Sequence, residues 1–302
     1  MNRKYIIPAR ILLGLFLIPA PARLQARVVL VVSSQANLEQ EIAGNFKQAH
    51  AGLLEEYNLR GLEDEARKIG KNLVARPPEL LVVIGNLAAK MAKESSPDCP
   101  IIYAAASNVQ GLELTGERVY GISVQPRAGP ILENFKLALP GYRRIGIIYN
   151  PNYLEKEIKE LEIAGNKAGL VLKPVPVREM KEIPQALNQL LGQVEVYLML
   201  DDPGVLTADT FPFIFVSCYQ KKIPIFAASQ EMVKNGALAG FAPNPADVGL
   251  KMAELARQIL QAKNPQLREI YPEGDLYLNA RIAAGFNLSF PPQAKKIGST
   301  IE

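Results

Sequence analysis

Short apolar runs recur along this chain, and each stops at a polar cluster just ahead of an amphipathic stretch. VVLVV (28–32) ends at Ser33-Ser34-Gln35, LLVVI (80–84) at Gly85-Asn86, and IIYAA (101–105) at Ala106-Ser107-Asn108. RIGIIY (144–149) ends at Asn150-Pro151-Asn152, VYLML (196–200) at Asp201-Asp202-Pro203-Gly204, and IPIFA (223–227) at Ala228-Ser229-Gln230. A weaker member, ALAGFA (237–242), ends at Pro243-Asn244-Pro245. Runs of Val, Ile and Leu this short and continuous predict strands buried on both faces, as in a parallel sheet under helices. The amphipathic stretches supply the crossovers that parallel strands need. Asn152 is expected to cap a helix that includes Glu155 and exposes alternating acids and bases. Ala208–Lys221 is expected to form a more apolar, better buried helix.

The strand positions form two sets, near 28, 54, 80 and 101 and near 144, 171, 196 and 224. This predicts an α/β protein of two Rossmann-like parallel-sheet lobes in series. The boundaries read as 27–119 plus 243–272 for the first lobe and 120–242 plus 273–302 for the second. ALAGFAPNP (237–245) reads as a return strand, Ala246–Gln261 as a helix packing back on the first lobe, and DLYLNARIAAGF (275–286) as a final crossing. In such sheets ligands bind beyond the carboxyl ends of the strands, where helix N-termini present free N–H groups. Two lobes facing each other would enclose a cleft, and a hinge of several crossing segments would let it close.

Composition changes the picture at the N-terminus. Arg3 and Lys4, the apolar run Ile11–Ile18 and the small-residue sites Ala20-Pro21-Ala22 and Leu24-Gln25-Ala26 match a secretory signal peptide over residues 1–26. The apolar run is too short for a membrane span, which needs roughly 20 residues. No cysteine lies near the cleavage sites, so a protein free of a lipid anchor is expected. The whole chain carries a formal +4. Arg3, Lys4, Arg10 and Arg23 all fall before residue 27, with no acid among them, so the remainder is formally neutral. That argues against a nucleic-acid footprint. The two cysteines, Cys99 and Cys218, are expected in different lobes as unpaired, inert thiols. His50 has no Cys, Asp or His beside it at metal-ligand spacing and reads as a surface or boundary residue.

VYGISV (119–124), LPGYRRIGIIYNP (139–151), DDPGVLTADTF (201–211), KKIPIFAASQEMVKNGALAGFAPNPADVG (221–249) and LNARIAAGFNLSFPP (278–292) resemble the ABC-transporter substrate-binding protein family with the type I periplasmic-binding fold. The branch includes binders of tryptophan and related amino acids. Where its members often carry an Asp-Pro pair, this chain has Ser107-Asn108. The resemblance implies an exported, monomeric protein in the periplasm that captures a small molecule, amino-acid-like in class. It would deliver that molecule to an ABC permease in the inner membrane, with no cofactor. A periplasmic sensor reporting to a membrane receptor or kinase is the alternative.

The expected ligand contacts are Ser33, Ser34, Asn86, Ser107 and Asn108 from the first lobe and Tyr149, Asn150, Asp201, Phe226 and Gln230 from the second. Hydroxyls and helix-start N–H groups suit a carboxylate, Asp201 suits an ammonium, and Tyr149 or Phe226 suits an aromatic part. Catalysis is disfavoured. No GxSxG, HExxH or GxGxxG occurs. A racemase-like thiol pair would need Cys99 and Cys218 in the cleft, yet one precedes its strand and the other sits inside a helix.

Overall fold

A computed structural model describes residues 26–95, 97–106, 114–261, 265 and 268–301. All but the last residue of the expected signal peptide, together with Ser107 and Asn108, lie outside the described residues. In chain order the elements are β1 (Val28–Val32), α1 (Asn37–Ala49), β2 (Leu54–Asn58), α2 (Glu63–Ala75), β3 (Leu80–Ile84), α3 (Asn86–Ser95), β4 (Ile101–Ala104) and β5 (Val119–Ile122). There follow α4 (Ala128–Ala138), β6 (Arg144–Tyr149), α5 (Pro151–Ala168), β7 (Val171–Pro176), α6 (Ile183–Leu191), β8 (Val196–Met199), α7 (Thr210–Gln220), β9 (Ile225–Ala227), α8 (Gln230–Lys234) and β10 (Ala239–Pro243). The chain finishes with α9 (Pro245–Leu260), β11 (Glu269–Ile270), β12 (Gly274–Asn279), α10 (Ala280–Gly285), α11 (Pro292–Ile297) and β13 (Ser299–Ile301).

Two sheets result. The first has the order β11-β5-β4-β3-β1-β2 and is parallel throughout. The second has the order β13-β12-β10-β9-β8-β6-β7, with β12 antiparallel to β10 and parallel to β13. The strands read as they do because both faces are covered. In β1, Val28, Leu30 and Val32 join the layer under α1 and α9, while Val29 and Val31 join the layer under α2 and α3. The second sheet likewise separates a layer with α4 and α5 from one with α6 and α7.

Among the described residues the chain crosses between lobes three times. β5 pairs β4 through Ile122, so the first crossing runs over 123–127 rather than starting at Tyr120. The apolar stretch VYGI has no signal of its own to say which sheet takes it. The second crossing joins β10 to α9 at Asn244, and the third joins β11 to β12. Ser123 donates its N–H to Ile270 (2.9 Å), and Asn244 donates its side-chain amide to Asp275 (2.8 Å). The Arg127 guanidinium lies 4.1 Å above the Tyr271 ring, tying the first crossing to the third.

Two local expectations are corrected. Asn150, not Asn152, caps α5: its side-chain oxygen accepts the Asn152 N–H at 3.0 Å and Pro151 fills the first helical position. Proline there wastes no donor, so an Asn-Pro pair is itself a helix start, and Asn244-Pro245 repeats it at α9. The apolar α7 is not better buried. Only Ile214 and Cys218 are fully covered, and Phe213, Val216 and Tyr219 are exposed.

A candidate binding cleft between the lobes

The polar clusters beyond the strands divide into those that build the fold and those that face the space between lobes. Ser33 belongs to the first group. Its buried hydroxyl donates to the Ile84 carbonyl (2.9 Å) and accepts the Ala88 N–H (2.8 Å), which caps α3 from a neighbouring strand. Ser34 gives both its N–H (2.7 Å) and its hydroxyl (2.8 Å) to the Glu39 carboxylate. Burial raises the Glu39 pKa, and these two bonds oppose the rise. Gly85 has φ +92°, and a Cβ there would run into Glu39 and the Ser33 hydroxyl, so only glycine fits. Asn86 opens α3 and is exposed.

In the second lobe Asn150 is buried. It caps α5, and its own N–H donates to Asp202 at 2.6 Å. Asp202 also accepts the Gly204 N–H at 2.8 Å, closing a turn. Burial pushes the Asp202 carboxyl up despite these bonds. Tyr149 is a core residue whose hydroxyl donates to Glu155 at 3.2 Å. Phe226 is 0% exposed and meets Phe135 edge-on at 5.4 Å. The expected stacking of Phe226 on a ligand is therefore corrected: its β9 position turns the ring into the α4 layer.

Asp201 and Gln230 do face the opposite lobe. They share a cavity with Ala228, Ser229, Glu231 and Lys234 on the second lobe's side. Asn37, Leu38 and Glu41 of α1 stand across from them, and Val124, Pro243 and Val248 close the hinge end. The cavity itself is small, about 80 Å³, and opens to solvent. Solvent still reaches the Asp201 side chain, but protein atoms crowd it from both lobes. That desolvation, with Glu231 as a second acid, holds its carboxyl above the usual range. Gln125, in the first crossing, donates its side-chain amide to the Asp201 carbonyl at 3.0 Å. The α1 N-terminus has no side-chain cap on its first turn, since Ala36 occupies the capping position.

Sequence reasoning missed Asn37, Leu38, Glu41, Val124, Gln125 and Glu231. The signal for the α1 group was present: Asn37, Leu38 and Glu41 lie on one side of a helix that opens just after β1. Their closeness to α8 depends on how the lobes meet.

The thiols lie elsewhere. Burial pushes Cys99 up to about 11, with Arg118 only partly opposing it, and Cys218 up to about 12. Both are free and buried, and both stay protonated at neutral pH. Among the described residues no helix is long and apolar enough to cross a membrane.

Comparison with known proteins agrees with this architecture. An ABC domain from Streptococcus pneumonia in complex with L-Trp superposes with a TM-score of 0.71 at 22% identity, over 92% of this chain and 100% of that one. A ligand-free, open substrate-binding protein with adhesive properties from Clostridium difficile gives 0.73 at 21% identity, over 92% and 99%. At these identities the likeness speaks for the fold. A tyrosine-binding protein of Clostridioides difficile (strain R20291) is 27% identical over 206 residues, 66% of this chain, and the chain spans 59% of that relative's length. The family described as ABC transporter substrate binding protein matches residues 45–288. This chain, with its two mainly parallel sheets in separate lobes and its three-segment hinge, belongs to the ABC transporter substrate-binding protein family.

Proposed function

We propose that the protein captures an amino-acid-like solute reversibly between its lobes, in the periplasm, and hands it to an ABC permease. The observation that carries this reading is the cavity that Asp201 and Gln230 share with the start of α1. Asp201 takes the ligand ammonium through a charge-assisted hydrogen bond. The uncapped first turn of α1 offers backbone N–H groups and a positive dipole end to the carboxylate. Leu38, Val124 and Val248 give the apolar body of the ligand a wall. Ser34 and Asn86 stand at the first lobe's strand ends and are its further candidate contacts. Ser33, Tyr149 and Asn150 support the loops rather than touch the ligand. The names of the relatives, one a tyrosine binder and one carrying L-Trp, favour an aromatic side chain on the solute.

Closure on the ligand and release to a permease need no covalent step, and the protonated thiols offer no nucleophile. Isothermal titration with an amino-acid panel tests the reading, run on the native chain and on Asp201→Ala and Asn150→Ala. Affinity should fall at least about tenfold in the first, the worth of one hydrogen bond to a charged group. The second should lose stability with its affinity kept. Unchanged affinity in Asp201→Ala overturns the assignment. Mass spectrometry of solute carried through native purification identifies the ligand directly.

A further inference from the structure

Eleven large apolar side chains are exposed among the described residues, and most stand singly on separate elements. α7 carries three of them on one face. Phe213 is 41% exposed, Val216 54% and Tyr219 60%, at spacings of three residues, so they form a continuous ridge. Pro212 is exposed beside them, and Phe286 extends the ridge from α10, its ring edge-on to Tyr219 at 5.7 Å. The opposite side of α7 is anchored by Ile214 and Cys218 in the core shared with α6. The ridge is therefore held rigidly outward. Lys221 and Lys222 close the helix, both exposed and neither ion-paired among the described residues. Asp209 lies at the other end of the helix.

A ridge of aromatic and aliphatic side chains ending in unpaired lysines has two complementary partners. The apolar part suits an acyl boundary, and the lysines suit phosphate. Protein interfaces share the aromatic residues but are depleted in lysine. We propose that the α7 face of the second lobe seats on an anionic lipid surface, with the Lys221–Lys222 end against the headgroups. None of the ridge residues lines the cleft, so seating leaves the cleft free to open and close. Seating there would concentrate the protein at the membrane, where the transport partner proposed above would stand.

The chain contains no tryptophan, which makes the test specific. Phe213→Trp places a single fluorophore on the ridge, and Ile163→Trp places one on α5, on the opposite face of the sheet and 58% exposed. The full chain of each is mixed with vesicles of phosphatidylcholine alone and of phosphatidylcholine with phosphatidylglycerol. Phe213→Trp emission should shift to the blue and be quenched by brominated acyl chains on the anionic vesicles only, while Ile163→Trp should stay unchanged. Adding Lys221→Glu and Lys222→Glu to the Phe213→Trp chain should weaken vesicle partitioning at least about fivefold per lysine. No shift, an equal shift on neutral vesicles, an equal shift at Ile163→Trp, or partitioning unmoved by the lysine changes would overturn the proposal. A blue shift that grows with protein concentration without vesicles would also overturn it, and would assign the ridge to a second copy of this chain.

Discussion

The hydroxyl of Ser33 and the amide of Ala88 meet at 2.8 Å, so a residue at the end of one strand caps the helix that follows another. Gly85 occupies the capping position of α3 and has no side chain to offer. Ser33→Ala would leave the Ala88 N–H without its acceptor in a buried place, while the Ile84 carbonyl keeps the Ser33 N–H at 2.8 Å. The expected loss is about 1–3 kcal/mol of folding stability. Chemical denaturation measures it, and ligand affinity of the folded fraction should not change.

Gly204 and Asn150 are matched as closely. A Cβ at Gly204 would lie 2.6 Å from the Asn150 Cβ, and Asn150 cannot move without releasing the α5 cap and its bond to Asp202. Gly204→Ala should cost about 1–3 kcal/mol as overpacking. The midpoint of thermal unfolding should drop, and the double variant Gly204→Ala/Asn150→Ala should lose less than the sum of the two single changes.

Asp201 sets two pH dependences with different causes. Its carboxyl is held above the ordinary range in the folded chain, by desolvation first and by Glu231 second. A raised folded-state pKa favours the protonated form, so its contribution to stability is present at acid pH and lost as pH rises through the raised value. Asp201→Asn should therefore raise the unfolding temperature of the ligand-free protein at neutral pH. Capture of an ammonium needs the ionised form, so affinity should fall on acidification at a higher pH than an ordinary carboxylate would give. Glu231→Gln should move that midpoint to lower pH. Titration calorimetry across pH reads both effects.

The thiols predict inertness. With Cys99 at about 11 and Cys218 at about 12, the thiolate fraction near neutrality is negligible, and both side chains are covered. Iodoacetamide at pH 8 should alkylate neither in the native protein and both in denaturant, as read by intact mass.

The sequence by itself determined the strands and the order of the two lobes. A strand segment buried on both faces must be apolar at every position, and VVLVV, LLVVI and IGIIY (145–149) meet that demand without reference to any neighbour. It also marked the polar clusters at the strand ends. What it could not separate was a cluster that faces ligand from one that faces a helix start, because Ser and Asn serve both with the same atoms. Ser33 and Asn150 went to caps, and Phe226 turned into the core because β9 presents that position to α4. Tertiary structure alone decided the cleft. Glu41 and Glu231 lie far apart in the chain and share a cavity only through the way α1 and α8 are set against each other across the hinge. Tertiary structure decided α7 as well: its composition is apolar on every side, and only the packing of Ile214 and Cys218 into the α6 layer leaves Phe213, Val216 and Tyr219 facing solvent. Periodicity reports which residues avoid water, whereas contacts between distant segments depend on lobe geometry that no local window of the chain encodes.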